Sequence, residues 1–402
     1  MPSSTDHISY IICVGDGMAD RPVDELDGKT PLEYVDTPAL DAVVHTGISG
    51  LVRTVPSGMA PGSDVANMSL LGYDPARYYT GRAPIEAAGM GIALKPDDVA
   101  LRCNLVSIRD GIMHDYAAGH IGDDDAHAIV SELRAQLDSA SVSFHPGTSY
   151  RHLVVLHGLD GELTCTPPHD ISGRPVASFL PGGDAAPMLQ TLMDTAHDIL
   201  SRSPVNAARV KQGKTPVTDI WLWGNGHGMS LPTLHERYAL GGSVITAVNL
   251  IKGLGTLSGL KAPYIEGATG YLDTDYGAKV TAAKQTLEKD NFVFIHCEAP
   301  DETSHEGSLE KKCTAIRDFD RHVVAKMLTY TQQHPPCRLC VLPDHATPLI
   351  TRTHDTAPVP FGICGHGVLA DSTTCYAERT VMHSRSYTGP SLFEAFITGN
   401  FS

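Results

Sequence analysis

The chain has 402 residues, with 30 Lys plus Arg against 46 Asp plus Glu and a formal net charge of −16 at pH 7. That balance argues against a general affinity for nucleic acid or for anionic membranes, both of which need a cationic face. With 42% hydrophobic and 19% charged residues the chain can bury a sizeable core, as two domains or as one large domain with an insertion. No apolar run approaches the roughly 18 residues that span a bilayer. The opening Met1-Pro-Ser-Ser-Thr-Asp6 lacks a basic segment followed by an apolar stretch, so no secretory signal is expected. Nine scattered cysteines fit reduced thiols in the cytoplasm better than a disulfide framework.

In chain order, Ile8-Ser-Tyr-Ile-Ile-Cys-Val14 reads as a buried strand that stops at Gly15-Asp16-Gly17. Thr37-Pro38 before Ala39-Leu40 reads as an N-cap followed by a first-turn proline. Ala126, Ile129, Val130, Leu133 and Leu137 mark one helical stripe, and the series from Met188 to Leu200 marks another. Strands are expected near Thr218–Trp223, Phe292–Cys297 and Arg338–Leu342, and a further helix from about Leu309 to Tyr330 with Ile316, Phe319, Val323 and Met327 facing inward. Short β-branched runs alternating with longer helical patterns predict an α/β fold with a central, mostly parallel sheet and helices on both faces. The segment 106–181 changes character, with glycine-rich strand candidates, one amphipathic helix and Thr164-Cys-Thr-Pro-Pro-His-Asp170. It is expected to form a small inserted α+β domain, leaving 1–105 and 182–402 as the core.

The acids and histidines fall at strand ends. Asp16 ends the first strand, Asp301 and His305 follow Phe292–Cys297, and Asp344 and His345 follow Arg338–Leu342, with His354 nine residues further on. Ligands of open α/β sheets gather beyond the carboxyl ends of the strands. Asp301 and His305 are four apart, so on a helical turn both reach the same point. Any one of these residues alone reads as well as a turn residue or a cap. Taken together, carboxylates mixed with imidazoles suit Mn²⁺ or Zn²⁺ better than Ca²⁺. Six candidates exceed one tetrahedral ion and suit a pair about 3.5–4 Å apart, the arrangement that clamps phosphoryl oxygens.

In Met59-Ala-Pro-Gly-Ser63-Asp64, a Pro-Gly turn leads into Ser63 and a helical pattern begins. Serine there is commonly only a cap. The same position collects backbone N–H groups and the positive end of the helix dipole, so it also attracts phosphate, and a metal beside its oxygen would make it a nucleophile. Gly28-Lys-Thr30 and Gly213-Lys-Thr215 lack the glycine five residues earlier that a nucleotide loop requires, having Val23 and Ala208 instead. Cys337-Arg-Leu-Cys340 has the spacing of half a zinc site, but no second such pair exists, which favours buried thiols. Trp221 and Trp223 read as strand packing.

Gly15-Asp16-Gly-Met-Ala-Asp-Arg-Pro22, Gly28-Lys-Thr-Pro-Leu-Glu33, Gly62-Ser63-Asp64, Leu71-Gly-Tyr-Asp-Pro75, Gly81-Arg82, Glu266-Gly-Ala-Thr-Gly270, Ala299-Pro-Asp301 through His305-Glu-Gly307, and Pro343-Asp344-His345 occur in this order over most of the chain. This set resembles the cofactor-independent phosphoglycerate mutases of the archaeal-type branch, within the alkaline phosphatase superfamily. The resemblance implies an alkaline-phosphatase-like core and interconversion of 2- and 3-phosphoglycerate, in glycolysis, through a phosphoserine. It implies Ser63 as nucleophile, one ion held by Asp16, Ser63, Asp344 and His345, and a second held by Asp301, His305 and His354. The ions would be Mn²⁺ in the first instance, with Zn²⁺ or Mg²⁺ as alternatives, and neither 2,3-bisphosphoglycerate nor a nucleotide would serve as cofactor.

The inserted segment would then cover a small phosphorylated hydroxy acid, with His169 and Asp170 in proton transfer. Arg82, Arg102, Arg151 and Arg174 would bind its phosphate or carboxylate, each reading equally as a structural or solubilising charge. Trp223-Gly-Asn-Gly-His227 stands where many archaeal relatives carry an arginine-containing glycine turn. Together with Pro343-Asp-His-Ala-Thr-Pro348, it resembles a bacterial sub-branch that includes proposed homoserine kinases. A homoserine-kinase-like phosphotransferase and a metal-dependent phosphatase are therefore the alternatives, and the oligomeric state is left open.

Overall fold

The computed structural model of the protein describes residues 8–159, 161–382 and 384–401. In chain order its strands are β1 (Ser9–Gly15), β2 (Ile48–Arg53), β3 (Val99–Arg109), β4 (Ile112–Asp115), β5 (Val142–Thr148), β6 (Arg151–Leu156), β7 (Asp219–His227), β8 (Gly242–Ile245), β9 (Phe292–Cys297), β10 (Cys337–Leu342), β11 (Val359–Gly365) and β12 (Arg385–Thr388). They fall into two compact units, one drawn from residues 1–79 with 230–402 and one from 80–229.

The first unit is an α/β layer structure on a sheet of order β12-β2-β11-β10-β1-β9-β8. Strands β10, β1, β9 and β8 run parallel, and β11 is antiparallel to both its neighbours. Parallel strands buried on both faces need apolar residues at consecutive positions, and Ser9-Tyr-Ile-Ile-Cys-Val-Gly15 supplies them. Ile11, Cys13, Val293, Ile295, Leu339 and Val341 face the helices Pro38–His45, Tyr276–Leu287 and Leu309–Phe319. Ile12, Cys340 and Leu342, one residue out of phase, meet Leu70 of the helix Ser63–Leu70 and Leu392, Phe393 and Phe396 of the helix Gly389–Thr398. Helices thus cover both faces, as the sequence pattern implies.

The start of the helix Pro38–His45 differs from the expected one. Pro38 occupies the first turn, but the Thr37 side chain makes no capping bond. Instead the Asp320 carboxylate accepts from the backbone N–H groups of Ala39 and Leu40 at 3.3 and 2.7 Å. Asp320 opens a π-turn (Asp320–Val324) that interrupts the expected 309–330 helix between Leu309–Phe319 and Ala325–Gln333. Burial pushes its carboxyl up to about 6 despite these two hydrogen bonds. Asp320→Ala is expected to cost about 1 kcal/mol, the usual worth of a lost cap, read as a lower urea midpoint at neutral pH with an unchanged slope.

The second unit holds an antiparallel sheet of order β4-β3-β6-β5, with β7 also paired to β3. Ile129 and Leu133 of the helix Asp123–Leu137 and Leu189, Leu192 and Ala196 of the helix Ala186–Ser201 pack with Leu105, Val154, Trp221 and Leu222. The unit runs from 80 to 229 rather than from 106 to 181. The reason is pairing: Val99–Val106 of β3 is bonded to Asp219–His227, so β7 and the preceding helix belong to this sheet. Apolar periodicity marks an element as buried without saying which core receives it.

All nine cysteines are free of disulfides, and Cys337 and Cys340 are buried within β10. Among the described residues, no helix is long and apolar enough to cross a membrane.

Candidate active site

Three adjacent parallel strands, β10, β1 and β9, end at the same edge of the sheet, with Val14 opposite Leu342 and Gly15 opposite Cys297. Asp16 continues β1, its backbone N–H bonded to the Cys297 carbonyl at 2.9 Å. The helix Ala299–His305 follows β9 and carries Asp301 in its first turn and His305 in its last, while Asp344 and His345 lie just beyond β10. The expected convergence occurs as two groups. Ligating atoms of Asp16, Asp344 and His345 all lie within 4.8 Å of one another, and so do those of Asp301, His305 and His354. The groups are neighbours, the His345 and His354 rings being 4.1 Å apart between centroids.

In the first group the three side chains are at most 1% exposed. His345 Nε2 stands 3.5 Å from Asp16 Oδ1 and 3.5 Å from Asp344 Oδ2. Ser63, the first residue of its helix, places its hydroxyl 3.2 Å from the same nitrogen. Asn67, one turn on, donates through Nδ2 to the Ser63 carbonyl at 2.9 Å and to Asp344 Oδ2 at 2.7 Å, tying the helix to the strand end. In the second group His305 Nε2 is 3.1 Å from Asp301 Oδ2 and 3.1 Å from His354 Nε2. His305 Nδ1–H donates to the Arg352 carbonyl at 2.9 Å, so the proton of a neutral ring sits on Nδ1 and Nε2 faces the cluster.

Gly17 explains how the chain passes between these acids. It adopts φ +60°, and its N–H donates to Asp344 Oδ1 at 3.1 Å. A Cβ there would come within 2.7 Å of Thr347 Oγ1 and closer still to Asp301 Oδ1. Only glycine meets both demands.

The electrostatics call for positive charge. Burial, then the carboxylates of Asp344, Asp301 and Glu298, push the Asp16 carboxyl well above its ordinary range. Asp16 Oδ1 is a buried oxygen with no hydrogen-bond partner. Burial opposes ionisation of Asp301 as well, but hydrogen bonds from His305 and His354 hold its carboxyl well below the usual value. Burial works against a charged His305 too, and the bond to Asp301 outweighs it, raising the imidazole to about 9. An orphaned carboxylate oxygen and imidazole nitrogens converging on common points form a donor set for divalent cations that accept mixed oxygen and nitrogen ligands.

Sequence reasoning missed several residues here. His296, in the middle of apolar β9, is 1% exposed, and its Nε2 contacts Asp16 Oδ2 at 2.9 Å. Burial takes its imidazole down to about 4. A histidine inside an otherwise apolar strand was the available signal. Asn67, at i+4 from Ser63, was also visible as sharing its helix face. Thr347 and Lys312 carried none. Lys312 is fully buried and donates to Asp20 Oδ2 at 2.7 Å and to the Thr347 carbonyl at 3.0 Å.

The remaining candidates lie in the 80–229 unit. Arg102 is buried, 3.1 Å from Glu86 and with its guanidinium 4.2 Å over the Trp223 ring. Burial, countered by Glu86, lowers it to about 10. Arg82 binds the other Glu86 oxygen at 3.0 Å. Arg82 and Arg151 both act on the charge of Arg102, so these three belong to one basic cluster. Arg174 is exposed and lies 4.4 Å over Phe179. His169 and Asp170 sit on the short turn Pro168–Ile171, exposed and 3.6 Å apart, with the His169 ring 5.3 Å from that of Trp223. Trp223 is therefore more than strand packing: it is the shared wall of Arg102 and His169.

A family model described as 2,3-bisphosphoglycerate-independent phosphoglycerate mutase matches residues 45–206. The enzyme of that name from Methanosarcina mazei is 47% identical over 358 residues, 89% of this chain and 90% of that one. A structure from Pyrococcus horikoshii superposes with a TM-score of 0.82 at 26% identity, covering 99% of each chain. The cofactor-independent phosphoglycerate mutase of Thermoplasma acidophilum superposes with a TM-score of 0.66 at 26% identity, over 97% of this chain and 99% of that one.

Proposed function

The chain belongs to the family of 2,3-bisphosphoglycerate-independent phosphoglycerate mutases, and on that premise we propose that it interconverts 2- and 3-phosphoglycerate, with Ser63 as the acceptor of the phosphoryl group. The observation that carries the reading is the placement of the Ser63 hydroxyl, at a helix N-terminus and 3.2 Å from His345, beside two clusters of buried carboxylate and imidazole donors. Asp16, Ser63, Asp344 and His345 would hold one divalent cation and Asp301, His305 and His354 a second, with Mn²⁺ the first candidate. Such ions, when bound, offset charge on phosphoryl oxygens and lower the pKa of a neighbouring hydroxyl.

Ser63 Oγ attacks phosphorus, and the bond from phosphorus to the C3 oxygen of 3-phosphoglycerate breaks. The glycerate turns, its C2 hydroxyl oxygen attacks the phosphoserine, and Ser63 Oγ leaves. No water is consumed and no phosphate is released. The N-terminal dipole of the helix Ser63–Leu70 favours the anionic phosphoserine, and Asn67 keeps that helix end in register with Asp344. In this reading His169, paired with Asp170, gives and takes protons at the glycerate hydroxyls. The Arg82–Arg102–Arg151 cluster binds the anionic substrate. Arg174, exposed on Phe179, is assigned a secondary part in the same binding.

The test is a product panel on metal-replenished protein. With 3-phosphoglycerate alone, 2-phosphoglycerate should accumulate to an equilibrium mixture with no inorganic phosphate, and ATP with homoserine should give no phosphohomoserine. Stoichiometric release of inorganic phosphate would establish a phosphatase instead, and phosphohomoserine would establish the kinase.

A further inference from the structure

One hydroxyl joins the two clusters. Thr347 is fully buried and lies two residues past His345, with Oγ1 2.5 Å from Asp301 Oδ1 and 3.2 Å from His345 Nδ1. A threonine has a single proton to donate, and a carboxylate only accepts. Thr347 therefore donates to Asp301, and its remaining capacity at Oγ1 is to accept, so the proton between Thr347 and His345 belongs to Nδ1. An imidazole protonated on Nδ1 leaves Nε2 with its lone pair free, and Nε2 is the atom 3.2 Å from Ser63 Oγ and 3.5 Å from Asp16 and Asp344. The main chain fixes where Thr347 stands: its N–H donates to the Ala19 carbonyl at 3.2 Å and its carbonyl accepts from Lys312 Nζ at 3.0 Å. Gly17 leaves this oxygen its room, since a Cβ added there would stand 2.7 Å from it. In the other cluster a backbone carbonyl, that of Arg352, does for His305 what a side chain does here.

We propose that Thr347 is a positioning residue that sets the Nδ1–H tautomer of His345 and couples it to Asp301, so that both clusters present their ligand atoms together. The proposal rests on reading the clusters as metal sites, and it concerns how one of them is aimed. Outer partners of metal-binding histidines commonly alter metal affinity about 10–100-fold when removed.

The experiment compares wild type with Thr347→Val, which removes the hydroxyl at nearly constant shape, and Thr347→Ser, which keeps it. Proteins labelled with ¹⁵N-histidine are examined metal-free by NMR, the His345 signals being assigned with His345→Gln, and Mn²⁺ binding is followed by calorimetry and by bound-metal analysis. Wild type and Thr347→Ser should show His345 protonated on Nδ1. Thr347→Val should lose that preference and bind Mn²⁺ about 10–100-fold more weakly, with Thr347→Ser restoring wild-type affinity. Should Thr347→Val not fold, Thr347→Ala removes the same hydroxyl with less bulk. Retention of the Nδ1–H tautomer together with wild-type Mn²⁺ affinity in Thr347→Val or Thr347→Ala overturns the proposal, as does failure of a folded Thr347→Ser to rescue. If wild type binds no Mn²⁺, the metal reading itself fails, and the tautomer assignment is then decided by the NMR measurement alone.

Discussion

Ser63→Ala is expected to abolish phosphoenzyme formation and to reduce mutase turnover by at least about 10⁴-fold, the scale on which loss of a covalent nucleophile is felt. The reaction proposed here has no step that bypasses this oxygen, because the phosphoryl group must wait on the protein while the glycerate turns. Water could replace the serine only by releasing inorganic phosphate, which is a different product. The substitution should be nearly silent for folding. Ser63 is half-buried and begins its helix after Gly62, which provides no side-chain cap. The bond that anchors this end runs from Asn67 to the Ser63 carbonyl, which an alanine retains. The one side-chain bond lost is that to the buried His345 Nε2, so stability should fall by only about 1 kcal/mol, the usual net worth of a single hydrogen bond. Intact-protein mass spectrometry after acid quench reads the phosphoenzyme in wild type and its loss in the variant, and a thermal melt reports the fold. Wild-type turnover in a folded Ser63→Ala protein would remove the nucleophile from the mechanism.

Ser63 and the strand-end acids were legible in the sequence because their signals are local. A Pro-Gly turn before a helical stripe, or an acid directly after a run such as Phe292–Cys297, needs only neighbours along the chain to be interpreted. Asp301 and His305 share a helix face by spacing alone. Residues that support them were illegible for the opposite reason. His296 stands out as a histidine in an apolar strand, but its partner is hidden until β9 is placed beside β1, which brings its ring to Asp16. Asp320 caps a helix some 280 positions away in the chain, a relation that no periodicity encodes. The inserted unit was drawn too small because β7, read from its apolar pattern, offers no sign that it pairs with β3 rather than with the parallel sheet. Arg102 could not be distinguished from a surface charge until Glu86 and Trp223 were seen on either side of it.

Stripping divalent metal should abolish turnover and lower the melting temperature, with both restored by Mn²⁺. Asp16, Asp344 and Asp301 are each at most 5% exposed, and buried like charges at such separations are tolerated only with protons or cations among them. In the metal-free protein burial first, and then the carboxylate of Asp344, push the Asp16 carboxyl toward its protonated form. A cation that binds the native state alone adds about 2.7 kcal/mol per site at a hundredfold excess over its Kd. The gain must depend on pH, and its sign follows from His305. Without metal that imidazole is raised to about 9, so below this value it has to release a proton before Nε2 can serve as a ligand, and acid competes with the ion. The increase in melting temperature on adding Mn²⁺ should accordingly be larger at about pH 8 than at about pH 6. His305→Ala should bind about one ion per chain where wild type binds about two and lose most of this pH dependence, since the competing proton is gone. An EDTA-treated wild type with unchanged melting temperature and full activity would contradict the two-cluster reading. An equal Mn²⁺ effect at both pH values, with two ions bound, would contradict only the part assigned to His305.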